Sequence, residues 1–358
     1  MTPRPLRIGI VGAGANTRER HIPGLRAIAG VDIAGVVNST PESTARAARE
    51  HGIPRTYGHW RELIDDAGIN AVVIGTWPDL HCEVTCAALA AGKHVLTEAR
   101  MARDAAEARR MLATARAHPQ LVAQVVPSPF GLVQQPYVRG LLDGGFLGEL
   151  RELVVIGATD LFHDATKPLH WRQDRAKSGL NILALGILHE TALRWSPPPV
   201  RVFAQTAILA PTRPAAGGGT VEATVPDSVQ VVTQLAGGGR GGPGGRGLYH
   251  LSGVALFGPG LQLHLYGSRG TIKLEIAPRE RLLIGQGGDA ELREVNIPPG
   301  QRGGWRVEAE FIGAIRGEEA VKFTDFETGV QYMEFTEAVH RSAVSGLPVE
   351  LPLVPFTG

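Results

Sequence analysis

Ile8-Gly9-Ile10-Val11-Gly12-Ala13-Gly14-Ala15-Asn16-Thr17-Arg18 links a short apolar, β-rich run, Leu6–Val11, to a helical pattern over His21–Ile28. Gly-x-Gly is a weak motif alone, but a strand running straight into it with a helix beyond marks a dinucleotide site. Gly12 permits the tight turn. Gly14 lets the backbone approach a pyrophosphate whose charge rests on the helix N-terminus. Ala15, Asn16 and Arg18 follow the turn and count with the cofactor-binding residues. Thr17 stands where a third glycine is usual; its side chain pushes the helix slightly off the strand, and its hydroxyl is a candidate phosphate donor. A glycine turn without a ligand is the bland alternative, and the βαβ context argues against it.

Outward from this turn, strands and helices alternate. Val31–Val37, Ala71–Gly75, His94–Thr97 and Leu121–Val126 read as strands, and Thr40–His51, His81–Ala91 and Asp104–Ala117 as helices. That alternation predicts an α/β, doubly wound parallel sheet with right-handed crossovers, a Rossmann domain over residues 1–126. The end of the second strand bears on the coenzyme. NAD(H)-selective sites place a carboxylate there to hold the adenosine ribose diol. This chain has Asn38, Ser39 and Thr40, which can donate to a 2′-phosphate, with Arg18 and Arg46 as cationic neighbours. NADP(H) is therefore expected over NAD(H).

At 358 residues the chain exceeds one typical core, so two domains are expected. Lys plus Arg (36) nearly balances Asp plus Glu (35), a formal charge of +1, which gives no reason to expect nucleic acid or a membrane as partner. A small-molecule substrate is expected instead. The first apolar run is too short for a signal peptide and none is long enough to span a bilayer, so the expected address is the cytoplasm. Two cysteines build no disulfide framework. Cys82 and Cys86 share a helical face beside His81, but without a second ligand pair they read as packing residues, and no metal is expected. Lys93 reads as a solvated residue ahead of a strand.

Past Pro127 the pattern changes. A helix at Tyr137–Asp143, a strand at Arg151–Thr159 and an irregular, His/Trp-rich stretch at Leu161–Lys177 precede a helix at Asn181–Trp195, stopped by three prolines. Strands then run in series: Val200–Leu209, Asp227–Leu235, Leu248–Leu256, Leu261–Tyr266, Gly270–Ile276 and Arg281–Ile284. They suggest an antiparallel meander. Amphipathic helices at Trp305–Arg316 and Thr328–Ser345 close the chain. The glycine-rich segment 237–247 falls between two strands and reads as a hairpin tip rather than a nucleic-acid arm. The second domain is assigned to 127–358, an α/β domain with a large, mostly antiparallel open sheet.

Five stretches together resemble landmarks of the Gfo/Idh/MocA oxidoreductases. They are the Gly-x-Gly loop with Arg20-His21-Ile22-Pro23-Gly24-Leu25, Gly75-Thr76-Trp77-Pro78-Asp79-Leu80-His81, Ala91-Gly92-Lys93-His94-Val95-Leu96-Thr97-Glu98, Trp171-Arg172, and Gly267-Ser268-Arg269-Gly270-Thr271-Ile272. The resemblance implies a Rossmann domain followed by an α/β domain whose open sheet forms homo-oligomer interfaces. It also implies hydride transfer between nicotinamide and a sugar, inositol or similar polyol. By this resemblance Thr76, Trp77, Pro78, His81, Glu98, Arg100, Trp171 and Arg172 join the expected cofactor-binding set; Arg100 is also a possible clamp for a substrate carboxylate.

The chain departs from that pattern at the chemistry. Ala99 follows Glu98 where the family's catalytic lysine stands, and Arg100 occupies the usual proline position. Aligning on Gly186 puts Ala184 at the family's aspartate and Leu188 at its histidine, with His189 one step off, about 100° around a helix. Another group must then handle the hydroxyl proton. His170 is the first candidate, a histidine being the natural general base near neutrality. His189 with Glu190, as base and orienter, is the second, and Lys167 lies in the same polar loop as His170. Two readings compete with a dehydrogenase: a lyase or glycosidase that oxidises only transiently, and a family member that binds nucleotide without catalysis.

Overall fold

The computed structural model describes residues 5–215, 217–237, 244–277 and 279–354. The chain forms two compact units, Met1–Pro127 with Arg306–Val330, and Ser128–Trp305 with Gln331–Gly358. The contiguous second domain expected from sequence therefore misses a return: 306–330 groups with the first unit. Gln124 Nε2 donates to Glu310 Oε1 at 3.1 Å, and the Val125 and Thr324 backbones bond each other in both directions.

Six strands of the first unit are β1 (Leu6–Val11), β2 (Val31–Val37), β3 (Arg55–Thr56), β4 (Ala71–Ile74), β5 (His94–Thr97) and β6 (Ala123–Val125), in the order β3-β2-β1-β4-β5-β6. Every pair is parallel. The helices α1 (Ile22–Arg26), α2 (Pro41–Glu50), α3 (Trp60–Asp65), α4 (Pro78–Ala90) and α5 (Ala105–Ala117) form the crossovers. All four residues of β4 are buried, as a strand covered on both faces requires. Val72 and Ile74 pack with Val11, Leu63, Val84 and Leu89 in one core cluster. β3 and α3 escape a sequence reading because two residues carry no periodicity and six barely one. Helical backbone starts well before His21, with π-type turns at Thr17–His21 leading into α1; Pro23, which has no N–H to donate, falls where the run passes from π-type to α-helical turns. Lys93 is buried rather than solvated, and its Nζ donates to the carbonyls of Asp66 at 2.9 Å and Ile69 at 2.8 Å.

The second unit opens with α6 (Gln135–Asp143) and is built on a nine-stranded sheet. The strands of that sheet are β7 (Leu150–Ala158), β8 (Pro199–Ala207), β11 (Ser228–Leu235), β12 (Arg246–Ser252), β13 (Gly260–Gly267), β14 (Gly270–Glu275), β15 (Arg281–Gln286), β16 (Arg293–Glu294) and β17 (Val349–Glu350); β9 (Thr212–Pro214) and β10 (Thr220–Glu222) form a separate hairpin. The order is β16-β15-β14-β13-β7-β12-β11-β8-β17. The simple meander needs correction. β7 inserts between β12 and β13 and pairs parallel with β12, because the long connection after β7 frees it from pairing with its successor. Within that connection lie α7 (Arg175–Ser178) and α8 (Leu185–Leu193); α8 starts four residues later than the helical pattern suggests, since Leu183 takes a left-handed φ of 46°. β11 and β12 pair antiparallel, as a hairpin requires, but residues 238–243 lie outside the described set. Exposure alternates along β8, β11 and β12, so each strand gives one face to a core and one to solvent. No described helix is long and apolar enough to cross a membrane.

Candidate active site

In the first unit the glycine turn has the expected form. Gly12 adopts φ of +87°, and a Cβ there would lie 2.8 Å from the Gly75 carbonyl carbon; a Cβ on Gly14 would lie 2.9 Å from Gly75 O. Both glycines are thus required by the close approach of β1 and β4 ends, which leaves bare backbone at the turn. The Ala13 N–H donates to Asn38 Oδ1 at 2.7 Å, and Asn38 Nδ2 donates to Ser43 O at 3.0 Å. Asn38 therefore ties the turn to α2, and its amide is not directed at a 2′-phosphate. Thr40 caps α2, accepting from Ser43 N at 3.2 Å in a reciprocal capping box, so it too has a structural duty. Ser39, Ala15, Arg18 and Arg46 are exposed. Thr17 is buried, and its hydroxyl donates to Gly12 O at 3.2 Å rather than facing a phosphate.

Behind the turn sits a group of charges that motif reading missed. His21 is buried, with Nδ1–H donating to Glu308 Oε1 at 2.6 Å and Nε2–H to Glu98 Oε1 at 2.9 Å. Burial pulls the His21 pKa down, but the two carboxylates outweigh it and raise it to about 9. Burial pushes Glu98 up, yet its bonds to the His21 imidazolium and to Asn16 hold it below the ordinary carboxylate range. Asn16 Nδ2 donates to Glu98 Oε1 at 2.5 Å, so the residue after the turn serves Glu98. Glu98 directly follows β5 at the carboxyl edge of the sheet, where such folds bind ligands. His21 stood in a quoted landmark, but nothing local announced a partner 287 positions away.

His81 is also buried. Its Nδ1 lies 2.9 Å from Arg100 O and its Nε2 3.1 Å from Thr76 O, so it staples the loops after β4 and β5. Pro78 opens α4, Trp77 is 46% exposed, and Arg100 is only 2% exposed.

The second unit holds the remaining candidates. His170 is half-buried and caps the short 3₁₀ helix Trp171–Gln173; its Nδ1 accepts from Arg172 N–H at 3.1 Å. That bond fixes the neutral ring with its proton on Nε2, so Nε2 is a donor. Burial and the nearby Arg172 lower its pKa. The expected role of general base is corrected accordingly: the lone pair a base would use is occupied. Arg172 lies over the Trp171 ring, 4.3 Å from its centroid. Lys167 is exposed, 4.0 Å from Asp164.

His189 is no base either. It is buried, stacks on Phe335 at 3.7 Å and 16°, and shares a 2.8 Å hydrogen bond with Tyr249 OH. Burial drives its pKa to about 3. Glu190, expected to orient it, instead accepts from Ser128 N–H at 3.0 Å and from Arg194 Nη2 at 2.6 Å, because adjacent helical residues point apart. Leu188, at the family's histidine position, is fully buried.

The six-stranded parallel sheet entered through Gly12 and Gly14 defines a Rossmann-type dinucleotide-binding fold, here joined to a large open sheet. Residues 6–125 match the profile described as "Oxidoreductase family, NAD-binding Rossmann fold", and residues 137–273 match the GFO/IDH/MocA C-terminal domain. The chain belongs to the Gfo/Idh/MocA oxidoreductase family. Among curated relatives, 1,5-anhydro-D-fructose reductase of Ensifer adhaerens is 30% identical over 187 residues, 51% of this chain and 54% of that protein. Levoglucosan dehydrogenase of Pseudarthrobacter phenanthrenivorans is 30% identical over 151 residues, 41% of this chain and 38% of that protein. The chain thus spans about half or less of the length of these relatives. A solved structure of levoglucosan dehydrogenase with NADH and L-sorbose superposes with a TM-score of 0.85 at 23% identity, covering 97% of this chain and 99% of that one.

Proposed function

We propose that this chain is a nicotinamide-coenzyme-dependent oxidoreductase acting on a sugar-like carbonyl or the corresponding hydroxyl. The observation that carries the reading is the turn at Gly12 and Gly14, whose lack of Cβ atoms leaves a cradle of bare backbone at the mouth of the parallel sheet. The residues there fit a dinucleotide: the turn and the helix after it would hold the diphosphate, and Glu98, kept ionised by His21, would accept from a ribose hydroxyl. Bound there, the coenzyme supplies the hydride donor or acceptor. Sugar chemistry is supported by relatives whose names specify anhydrofructose reduction and levoglucosan oxidation.

The preference for NADP(H) rests on the absence of a carboxylate from residues 38–40. Of the three donors expected there, Ser39 alone keeps its side chain from structural duty, beside exposed Arg18 and Arg46. His170 is assigned a substrate oxygen, because its neutral ring keeps Nε2–H as a donor. The open face of the nine-stranded sheet is assigned to a homo-oligomer.

Calorimetric titration with NADP(H) and NAD(H), then reduction of a panel of keto-sugars by wild type and His170→Ala, tests the reading. Coenzyme binding with turnover lost in the variant is expected; no affinity for either coenzyme overturns it. Ala99, Ala184 and Leu188, aliphatic where the family carries its proton-handling groups, favour a second reading: coenzyme binding without turnover on any substrate.

A further inference from the structure

Cys82 and Cys86 lie one turn apart on α4 and face α5. Two residues of α5 reach them: Arg110 Nε donates to Cys82 Sγ at 3.0 Å, and Thr114 Oγ1, which donates to Arg110 O at 2.9 Å, lies 3.4 Å from Cys86 Sγ. The two thiols are neighbours on one helical face. Cys82 also lies 3.4 Å from Glu107 O and is 1% exposed, whereas Cys86 is only partly covered. A guanidinium, a hydroxyl and a neighbouring thiol thus surround two sulfurs that neither fold nor coenzyme chemistry requires. Simple packing residues need no such donors, since a thiol buried for its volume behaves as a small hydrophobe.

The neighbouring Cys82, with Thr114 and Arg110 adding to it, holds Cys86 below the ordinary thiol range against the opposing effect of burial. The pair loses its first proton as a unit, and the remaining proton passes between the sulfurs faster than a reagent arrives. Reaction therefore goes through the accessible sulfur, whichever one holds the charge on average.

We propose that Cys86, set beside Cys82, Thr114 and Arg110, is a modification site whose sulfur a small hydroperoxide oxidises to sulfenic acid. The sulfur lone pair attacks the distal peroxide oxygen, an S–O bond forms as the O–O bond breaks, and the leaving alkoxide or hydroxide takes a proton from water. The sulfur is oxidised by two electrons and the peroxide reduced by two. A disulfide does not follow in the intact helix, because Cβ atoms four apart are about 5–6 Å from each other and a disulfide needs about 3.5–4.5 Å. The product is a sulfenic acid that an external thiol reverses.

The test is dimedone trapping after treatment of the full chain with hydrogen peroxide at pH 7, mapped by peptide mass spectrometry. The adduct is expected on Cys86. Arg110→Gln, a change at an exposed position, is expected to slow its formation about tenfold by weakening the thiolate, with thermal unfolding checked to show the fold intact. An adduct absent from Cys86, or formed equally fast in Arg110→Gln, overturns the proposal. Cys82→Ser supplies a second measure: trapping at Cys86 should slow as the shared proton is lost, and an unchanged rate removes Cys82 from the site.

Discussion

At the scale of single residues, the most consequential group is His21. It is fully buried, yet it decides the charge of Glu98, since a buried carboxylate stays ionised only when paired. Its pKa rises from 6.5 to about 9 on folding, burial notwithstanding, because Glu308 and Glu98 both bind the imidazolium. A raised folded-state value means that the stabilisation is complete below about pH 6.5 and fades as pH climbs through 9. His21→Gln should therefore cost on the order of 3 kcal/mol near pH 6, with the gap to wild type shrinking by pH 10. Urea unfolding of both proteins at the two pH values measures it. An equal gap at both would mean that the imidazole is neutral in the folded chain. Coenzyme affinity should fall in the same variant, because Glu98 loses its orientation.

At the scale of elements, two expected ligands prove to be parts of the scaffold. Thr40 was legible as a polar residue after β2, and either role fits that position, since the residues that donate to a phosphate also cap helices. The bond from Ser43 N decides for the cap. Thr40→Ala should lower stability by about 1 kcal/mol while changing NADP(H) affinity little; a large loss of affinity with unchanged melting would restore the ligand role. His189 makes the same point for α8. Its place beside Glu190 suggested a catalytic pair, but its ring fills space between Tyr249 and Phe335. His189→Ala should cost about 3 kcal/mol through the lost stack, and His189→Phe should recover much of it. Turnover in His189→Phe with an unshifted pH profile is the expected result, whereas abolished turnover in a stable variant would return the residue to the chemistry. Thus β1, the glycine turn and the parallel alternation were readable because each is encoded within about a dozen adjacent residues. The His21–Glu308 bond and the insertion of β7 beside β12 join distant stretches, and no local pattern carries them. His170 was singled out as polar and landmark-adjacent, but its tautomer depends on a backbone N–H that sequence does not display.

At the scale of the whole molecule, the open face of the nine-stranded sheet is the feature a lone chain leaves unexplained. Val232 pairs with Phe203 on one side and Leu248 on the other, so three apolar side chains form a row across β8, β11 and β12. They are 40%, 50% and 47% exposed for Phe203, Val232 and Leu248. Arg201, Gln234 and Arg246 line one flank in register and Gln205, Gln230 and His250 the other, giving a polar rim around an apolar centre. The row lies on the exposed face of β8, β11 and β12, so a partner seated on it engages side chains. A second copy presenting the same row satisfies this with one self-complementary surface. Val232→Arg places a cation in the middle of the row and, near a two-fold axis, sets it against its own copy. Light scattering on the eluting peak should then show the mass fall from a multiple of the chain's 38.1 kDa to a single chain. Coenzyme affinity should be retained, because Val232 belongs to the second unit and the glycine turn to the first. A wild type that already elutes as one chain at micromolar concentration would remove the oligomer, and the apolar row would then need a different partner.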